Sequence, residues 1–211
     1  VRHITQQLAS ALLHLKSVGI IHVDIKPRNV MVVDRRKPLR VKLVDFGGSQ
    51  MSGNIDNETF ACTQIYSSPE VLLHSEINEA VDMWSLGVTA FKLAVGTDLF
   101  PYRTCYSILK SILNLFGQPP DEVLDKGLQT EHFFKKGTSG GVRWTLRTAE
   151  ECGLEDKKDA FEGFGDVEQI LSVHQGQETG LDRFVDLIKR MLQVDPNQRI
   201  TPLEALQHSF F

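Results

Sequence analysis

The most informative stretch of this chain reads HVDIKPRN and runs from His22 to Asn29. The tripeptide Asp45-Phe46-Gly47 follows it, and Ser68-Pro69-Glu70 comes later. Each motif alone is a weak signal, because an aspartate in a loop is usually solvated and Asp-Phe-Gly is a common turn. Here the three occur in a fixed order around two predicted strands and before a predicted helix. Their order is the main indication of the fold.

The first third of the chain alternates between helical and extended patterns. Apolar residues recur at helical spacing over 4–18, which predicts an amphipathic helix. Val30–Val33 and Val41–Val44 are short β-branched runs on either side of a basic turn, and they predict a small antiparallel hairpin. Residues 45–68 are polar and predict a long loop.

The remainder of the chain is mostly helical in pattern. Residues 81–95 are apolar on nearly every face, which predicts a buried helix at the centre of one hydrophobic core. Further helices are predicted at Tyr106–Phe116, over 181–192 and from Thr201, where a capping box begins. Residues 118–178 are polar and irregular, so we expect a surface insert there.

The composition excludes several classes of protein. A length of 211 residues fits one large domain or two small ones. The formal net charge of −4 gives no indication of binding to nucleic acid or to an acidic membrane surface. No apolar stretch is long enough to predict a membrane span. The three cysteines lie far apart, which predicts thiols in a reducing compartment rather than a metal site.

The ordered motifs resemble the signature of protein kinases. The resemblance implies a mainly α fold with a small β element, as in the large, C-terminal lobe of a kinase. Residues 1–211 would be a partial kinase domain with a catalytic loop at 22–29, an activation segment at 45–70 and a family insert at about 118–178. No G-x-G-x-x-G loop precedes a V-A-x-K strand, and Val1 opens inside a helical pattern. We therefore expect the small lobe to be absent and the chain to be part of a longer protein.

The same resemblance implies a catalytic set of Asp24, Lys26 and Asn29 acting on ATP with Mg²⁺. Asp24 would accept or orient the proton of a substrate hydroxyl, and Lys26 would neutralise the transferring phosphoryl oxygens. Asn29 and Asp45 would supply the oxygen ligands that Mg²⁺ prefers, so Lys26, Asn29 and Asp45 form the expected ATP and metal site. A lysine two residues after the aspartate resembles serine/threonine kinases rather than tyrosine kinases.

Five further residues are expected to support this site structurally. His22 would pack against the Asp-Phe-Gly turn, and Asp82 would accept backbone N–H groups of the catalytic loop, because a buried carboxylate needs such partners. Thr63 stands where a hydroxyl could bond the catalytic aspartate and lysine. Glu70 and Arg199 resemble the buried ion pair that joins the end of the activation segment to the late helices of kinases.

Longer stretches resemble one kinase family, the homeodomain-interacting protein kinases. They read VMVVDRRKPLRVKLVDFG at 30–47, DMWSLG at 82–87, HFFKKGTSGGVRWTLRTAEE at 132–151 and RMLQVDPNQRITPLEALQH at 190–208. This resemblance implies a serine/threonine kinase that is nuclear, or otherwise cytoplasmic. It also implies protein substrates among transcription regulators, with no direct nucleic-acid or membrane partner.

The activation segment departs from that family at three positions. The family carries a self-phosphorylated tyrosine where this chain has Phe60, and arginines where it has Gln64 and Ser67. Phe60 cannot accept phosphate, and an arginine that receives a phosphate then has nothing to pair with. We therefore expect a loop that tyrosine phosphorylation does not switch. A preference for proline after the target residue stays open.

Two functions remain open from the sequence. The first is an active serine/threonine protein kinase, whose large lobe alone would be inactive because half of the nucleotide cleft is missing. The second is a pseudokinase, a catalytically silent module that binds kinase partners or substrates.

Overall fold

The computed structural model describes residues 1–36, 39–55, 63–100, 104–137, 143–155, 161, 164–175 and 180–211. Phe60, on which the expected loss of phosphorylation depends, lies outside these residues. Over the described ranges the fold is rich in helices and contains a few short strands. None of the helices seen there has the length and hydropathy that crossing a membrane requires.

The helices follow one another with few strands between them. They are α1 (Arg2–Ser17), α2 (Pro69–Leu72), α3 (Ala80–Val95), α4 (Cys105–Phe116), α5 (Asp121–Lys126), α6 (Thr130–Phe133), α7 (Val167–Gln175), α8 (Leu181–Met191) and α9 (Pro202–Leu206). Short 3₁₀ helices lie at Pro27–Asn29, Gln64–Tyr66 and Glu150–Cys152. The strands are β1 (Ile20–Ile21), β2 (Val30–Asp34), β3 (Arg40–Leu43), β4 (Gln50–Met51), β5 (Phe134–Lys136) and β6 (Trp144–Leu146).

The strands pair as separate antiparallel ribbons. β2 pairs with β3, with Val30 opposite Leu43 and Val32 opposite Val41, which confirms the predicted hairpin. β1 pairs with β4 across the chain that separates them, and β5 pairs with β6. The β1–β4 ribbon brings the start of the activation segment back beside the end of α1 and so limits the path of the loop.

Helix α3 is the centre of the molecule, as its sequence predicted. Its residues from Val81 to Phe91 are buried, and the helix ends at Gly96, whose φ of 86° is in the left-handed region. Gly87 lets α8 approach closely, because a Cβ at this position would lie 2.9 Å from both Met191 Cβ and Leu192 Cδ2. Any larger side chain would therefore push α8 away from α3.

The region 118–178 differs from the surface insert that the sequence predicted. It holds α5, α6, the β5–β6 hairpin and α7, and several of its side chains are buried in the main core. Phe134, Leu124, Ile170 and Leu171 have no exposed surface. The apolar residues in this region are few and lie among many polar ones, so the sequence shows no helical or strand periodicity there. The expectation of an irregular surface segment is therefore wrong for these residues.

Within the described ranges, the buried apolar side chains form two clusters rather than the one core that was predicted. The larger cluster surrounds α3. The smaller one lies beside the catalytic loop and consists of Ile21, Val23, Val71, Ile77 and Val81. It joins the loop to α2 and to the first turn of α3. The absence of a small lobe stays a prediction.

Candidate active site

The candidate site is built on the loop that connects β1 to β2. The loop ends in the 3₁₀ helix Pro27–Asn29, where proline occupies the first position and its fixed φ favours the turn. The backbone N–H of Val44 donates to the carbonyl of Asn29 at 2.9 Å. This bond places the residue before Asp45 against the end of the loop, so the first two sequence motifs meet here.

Asp24 is the centre of a hydrogen-bonded cluster. Its Oδ2 accepts from Lys26 Nζ at 2.7 Å, and its Oδ1 accepts from Thr63 Oγ1 at 2.9 Å. Lys26 Nζ also donates to Thr63 Oγ1 at 2.8 Å. Asn29 Nδ2 donates to the Asp24 carbonyl at 2.8 Å and to Oδ2 at 3.1 Å. The chain thus gathers Asp24, Lys26, Asn29 and Thr63, although Thr63 lies 39 residues from Asp24.

The ionisation of Asp24 follows from these partners. Burial by itself raises the pKa of this carboxyl, but the hydrogen bonds from Lys26 and Thr63, the Lys26 charge and the Asn29 bond outweigh it. The pKa therefore lies below its usual range, and Asp24 is a carboxylate at neutral pH. The side chains of Asp24 and Lys26 are 15% and 19% exposed, so solvent reaches the pair.

His22 lies behind Asp24 and is fully buried. Its Nε2 lies 3.1 Å from the Val44 carbonyl, and the backbone N–H of Asp24 donates to its Nδ1 at 3.3 Å. These two bonds require a neutral ring with its proton on Nε2. Burial lowers the pKa of His22, which agrees with that state. The ring also meets Phe46 edge to face, with centroids 4.8 Å apart.

Asp82, at the start of α3, holds the backbone of the loop. Its Oδ2 and Oδ1 accept the backbone N–H groups of His22 and Val23, each at 2.8 Å. Val23 has a φ of 63°, an unfavourable conformation for a β-branched residue. The bonds to Asp82 and the burial of Val23 in the smaller cluster oppose that strain. Burial raises the pKa of Asp82 to about 7, against the two backbone N–H bonds.

Asp45 and Asn29 are the candidate ligands for a metal ion. Asp45 is exposed and has a φ of 67°, a backbone conformation that few residues other than glycine adopt. The side-chain nitrogen of Asn29, Nδ2, donates to Asp24, so the side-chain oxygen, Oδ1, is the atom that can bind a cation. One carboxylate and one amide oxygen fit Mg²⁺, which in proteins usually takes few protein ligands and completes its shell with phosphate and water.

The end of the activation segment is fixed to the late helices. Arg199 Nη1 donates to Glu70 Oε1 at 2.6 Å, and Nη2 donates to Oε2 at 3.1 Å, with both side chains fully buried. The guanidinium also donates to the carbonyls of Ala80 and Gln193. Gln64 is exposed, whereas Ser67 is buried and its hydroxyl contacts the Thr63 carbonyl at 3.4 Å.

Three polar residues that the sequence motifs did not indicate hold Tyr66, near the end of the same segment: Ser85, Lys92 and Asp98. The Tyr66 hydroxyl donates to Asp98 Oδ1 at 3.2 Å, and Lys92 Nζ lies 2.6 Å from the same oxygen. Ser85, on α3, donates its hydroxyl to the Tyr66 carbonyl at 2.8 Å. One signal was present in the sequence: Lys92 and Asp98 are opposite charges in the most apolar part of the chain, where charges require partners.

Comparison with known proteins agrees with this geometry. The sequence pattern of the protein kinase domain matches residues 1–211, the whole chain. The chain therefore belongs to the protein kinase domain family.

The similar proteins within that family are homeodomain-interacting protein kinases. The chain is 37% identical to homeodomain-interacting protein kinase 1 of Mus musculus, over all of this chain and 19% of that protein. It is 34% identical to homeodomain-interacting protein kinase 1 of Caenorhabditis elegans, covering all of this chain and 28% of that protein. It is 32% identical to homeodomain-interacting protein kinase 4 of Homo sapiens, over the whole chain and 38% of that protein. The chain thus spans between a fifth and two fifths of the length of these relatives.

Proposed function

We propose that this chain transfers the γ-phosphate of ATP to serine and threonine hydroxyls of proteins, as the catalytic lobe of a kinase related to the homeodomain-interacting kinases. The observation that carries the proposal is the cluster around Asp24, in which Lys26, Asn29 and Thr63 all bond one carboxylate or its backbone. Phosphoryl transfer needs mainly positioned reactants and neutralised charge, and this cluster offers both.

Asp24 orients the substrate hydroxyl. Its pKa lies below the usual range, so it is a weak base but a constant acceptor for the hydroxyl proton. The oxygen of that hydroxyl is then aimed at the γ-phosphorus. As the new P–O bond forms, the bond from the γ-phosphorus to the bridging oxygen breaks, ADP leaves with that oxygen, and Asp24 takes the hydroxyl proton. Lys26 Nζ bonds Asp24 and Thr63 at the same time, so its charge stays beside the transferring group.

Asn29 and Asp45 would hold Mg²⁺ through the amide and carboxylate oxygens. When bound, the ion neutralises phosphate charge. The bond between Val44 N–H and the Asn29 carbonyl keeps the two ligands on adjoining backbone. His22 keeps this arrangement by bonding the Val44 carbonyl on one side and the Asp24 N–H on the other.

The substrates and location of the whole protein are proposals from the relatives. The relatives are homeodomain-interacting protein kinases, a name that supports protein substrates among transcription regulators. The same resemblance supports a nuclear location.

The kinetic test compares variants of the full-length protein with Mg²⁺ and ATP. Asp24→Asn removes the proton acceptor and Asp45→Asn removes the metal carboxylate. We expect each to lower kcat by about 10²–10⁴-fold, the range of an acid–base contribution. Asp166→Asn is the matched control, because Asp166 forms a surface pair with Lys189 at 3.5 Å. Its Oδ1 also accepts from the Gln169 backbone N–H at 3.0 Å, a bond that asparagine can make as well. Equal rates in all four proteins would overturn the proposal.

A second function, a silent module that binds kinase partners or substrates, is favoured by Gln64 and Ser67, which replace the expected arginines. It predicts no phosphotransfer by the wild-type protein. It also predicts that Asp24→Asn leaves partner binding unchanged. Measurable turnover by wild type and its loss in Asp24→Asn would exclude this alternative.

A further inference from the structure

Tyr66, Lys92 and Asp98 form a polar cluster beside the end of the activation segment. Asp98 Oδ1 accepts both the Tyr66 hydroxyl at 3.2 Å and Lys92 Nζ at 2.6 Å. Lys92 belongs to the last turn of α3, and Asp98 follows Gly96, which ends that helix. The cluster therefore joins a loop residue to the rigid central helix.

The cluster has a defined protonation state. Tyr66 is only 6% exposed, and burial and then the Asp98 charge raise the pKa of its hydroxyl. The hydrogen bond to Asp98 raises the pKa of Lys92. The phenol is thus a donor and the lysine a cation at neutral pH, and both point at one carboxylate oxygen. A buried phenol needs such a partner, so this arrangement fixes the ring in one orientation.

The backbone of Tyr66 connects the cluster to Asp24. Tyr66 N–H donates to the Thr63 carbonyl at 2.8 Å, and the Ser85 hydroxyl donates to the Tyr66 carbonyl at 2.8 Å. Thr63 precedes the one-turn 3₁₀ helix Gln64–Tyr66, and its hydroxyl bonds both Asp24 and Lys26. That single turn is held at one end by Asp24 and Lys26 and at the other by Asp98 and Ser85.

We propose that Tyr66 and Asp98, with Lys92 keeping the carboxylate paired, are positioning residues for phosphotransfer. They hold the turn that places the Thr63 hydroxyl between Asp24 and Lys26. The contacts that hold the turn join ordinary side chains, and none of them involves a phosphate group. This inference rests on the proposed function.

The first measurement is steady-state phosphotransfer by the full-length Tyr66→Phe variant, which removes only the hydroxyl. We expect kcat to fall about 10- to 100-fold with the KM for ATP unchanged, as for the loss of one hydrogen bond to a charged acceptor. The matched control is Tyr106→Phe, which removes a hydroxyl that donates to the Arg147 carbonyl at 2.9 Å rather than to Asp98. Its kcat should equal that of wild type.

A double variant tests whether Tyr66 and Asp98 act together. Asp98→Ala should lower kcat about as much as Tyr66→Phe, and combining the two should add little, because both remove one interaction. Fully additive effects would contradict a shared role.

Hydrogen exchange gives a readout without turnover. In Tyr66→Phe we expect at least about tenfold faster exchange at the amides of Tyr66 and Ser67, with the protection of α3 unchanged. Faster exchange throughout the chain would show a merely structural role and overturn the inference. A kcat of Tyr66→Phe equal to that of wild type would also overturn the inference. An inactive wild type would instead overturn the proposed function. If the exchange pattern of Tyr66→Phe equals that of wild type, Tyr66 does not hold the turn, whatever the activity shows.

Discussion

At the scale of the residue, Asp24 is a carboxylate held by several donors rather than a strong base. Lys26, Thr63 and Asn29 fix its orientation and lower its pKa. Under the proposed function, its main contribution would be to aim a hydroxyl. The motif at 22–29 could suggest this set because Asp24, Lys26 and Asn29 are close in sequence. Which atoms bond cannot be read from spacing, since it depends on rotamers and on Thr63, which comes from another loop.

Lys92 and Asp98 have a partner that the sequence alone does not reveal. In the sequence they are only two charges that interrupt an apolar run. Their partner, Tyr66, lies 32 residues before Asp98, and the contact exists only because the activation segment returns to the end of α3. A sequence pattern reports the need for a partner but does not say which residue meets it.

Asp82→Asn should destabilise the protein, because Asp82 accepts the two backbone N–H groups on separate oxygens and asparagine replaces one of these oxygens with an NH₂ donor. The cost is about 1–3 kcal/mol for the N–H left without an acceptor. Chemical denaturation of the wild type and the variant measures it. The control Asp166→Asn should change the free energy of unfolding little.

The stability gap between wild type and Asp82→Asn should also depend on pH. The pKa of Asp82 is about 7 in the folded state and 3.8 when unperturbed, so the folded protein binds an extra proton between these values. The contribution of Asp82 is therefore full below pH 3.8 and is lost as the pH rises towards 7. We expect the gap to narrow from pH 4 to pH 7. A constant gap would mean that the two N–H bonds keep the carboxylate ionised throughout.

At the scale of the element, the described parts of the activation segment are tied to rigid structure at several points. Ser52 donates to Glu79 at 2.5 Å beside the β1–β4 ribbon, and Tyr66 and Glu70 hold the other end. The sequence predicted only a polar loop here. Loops owe their conformation to contacts with distant elements, which a local pattern does not contain.

Glu70→Gln should be strongly destabilising, because it leaves the buried Arg199 guanidinium without a counter-charge. The expected loss is about 3–5 kcal/mol in the free energy of unfolding, measured by denaturant titration. Glu168→Gln is the matched control, since Glu168 pairs with Lys189 on the surface and the pair should contribute less than about 1 kcal/mol. Similar losses in both variants would contradict the assigned role of the buried pair.

Tyrosine phosphorylation should be absent from the activation segment of the purified full-length protein. The only tyrosine in residues 45–70 is Tyr66, which is buried and donates its hydroxyl to Asp98. A phosphate group on Tyr66 would place roughly two negative charges next to the Asp98 carboxylate. Mass spectrometry of the intact segment should find no stoichiometric phosphotyrosine, and its presence would contradict this account.

Helices and hairpins were predictable where one periodicity extends over the whole element. The β-branched runs of β2 and β3 and the uniform apolarity of α3 were both visible in the sequence. The region 118–178 was not, because its short elements each contribute only one to three buried apolar residues. Trp144, for example, is 4% exposed, with its indole N–H bonded to Asp125 19 residues earlier.

At the scale of the whole molecule, the site is assembled from four separate places in the chain. The catalytic loop supplies Asp24 and Asn29, the end of the hairpin leads to Asp45, the activation segment supplies Thr63, and α3 supplies Asp82. Membership of the protein kinase domain family agrees with this assembly. The central claim is that the assembly transfers phosphate to serine and threonine.

The most direct test is to incubate the full-length protein with Mg²⁺, ATP and a library of serine-, threonine- and tyrosine-containing peptides, and to locate the added phosphate by mass spectrometry. The account predicts phosphoserine and phosphothreonine with wild type and their loss, by about 10²-fold or more, with Asp24→Asn. Phosphate transfer that is absent from wild type, or equal in wild type and Asp24→Asn, would contradict it.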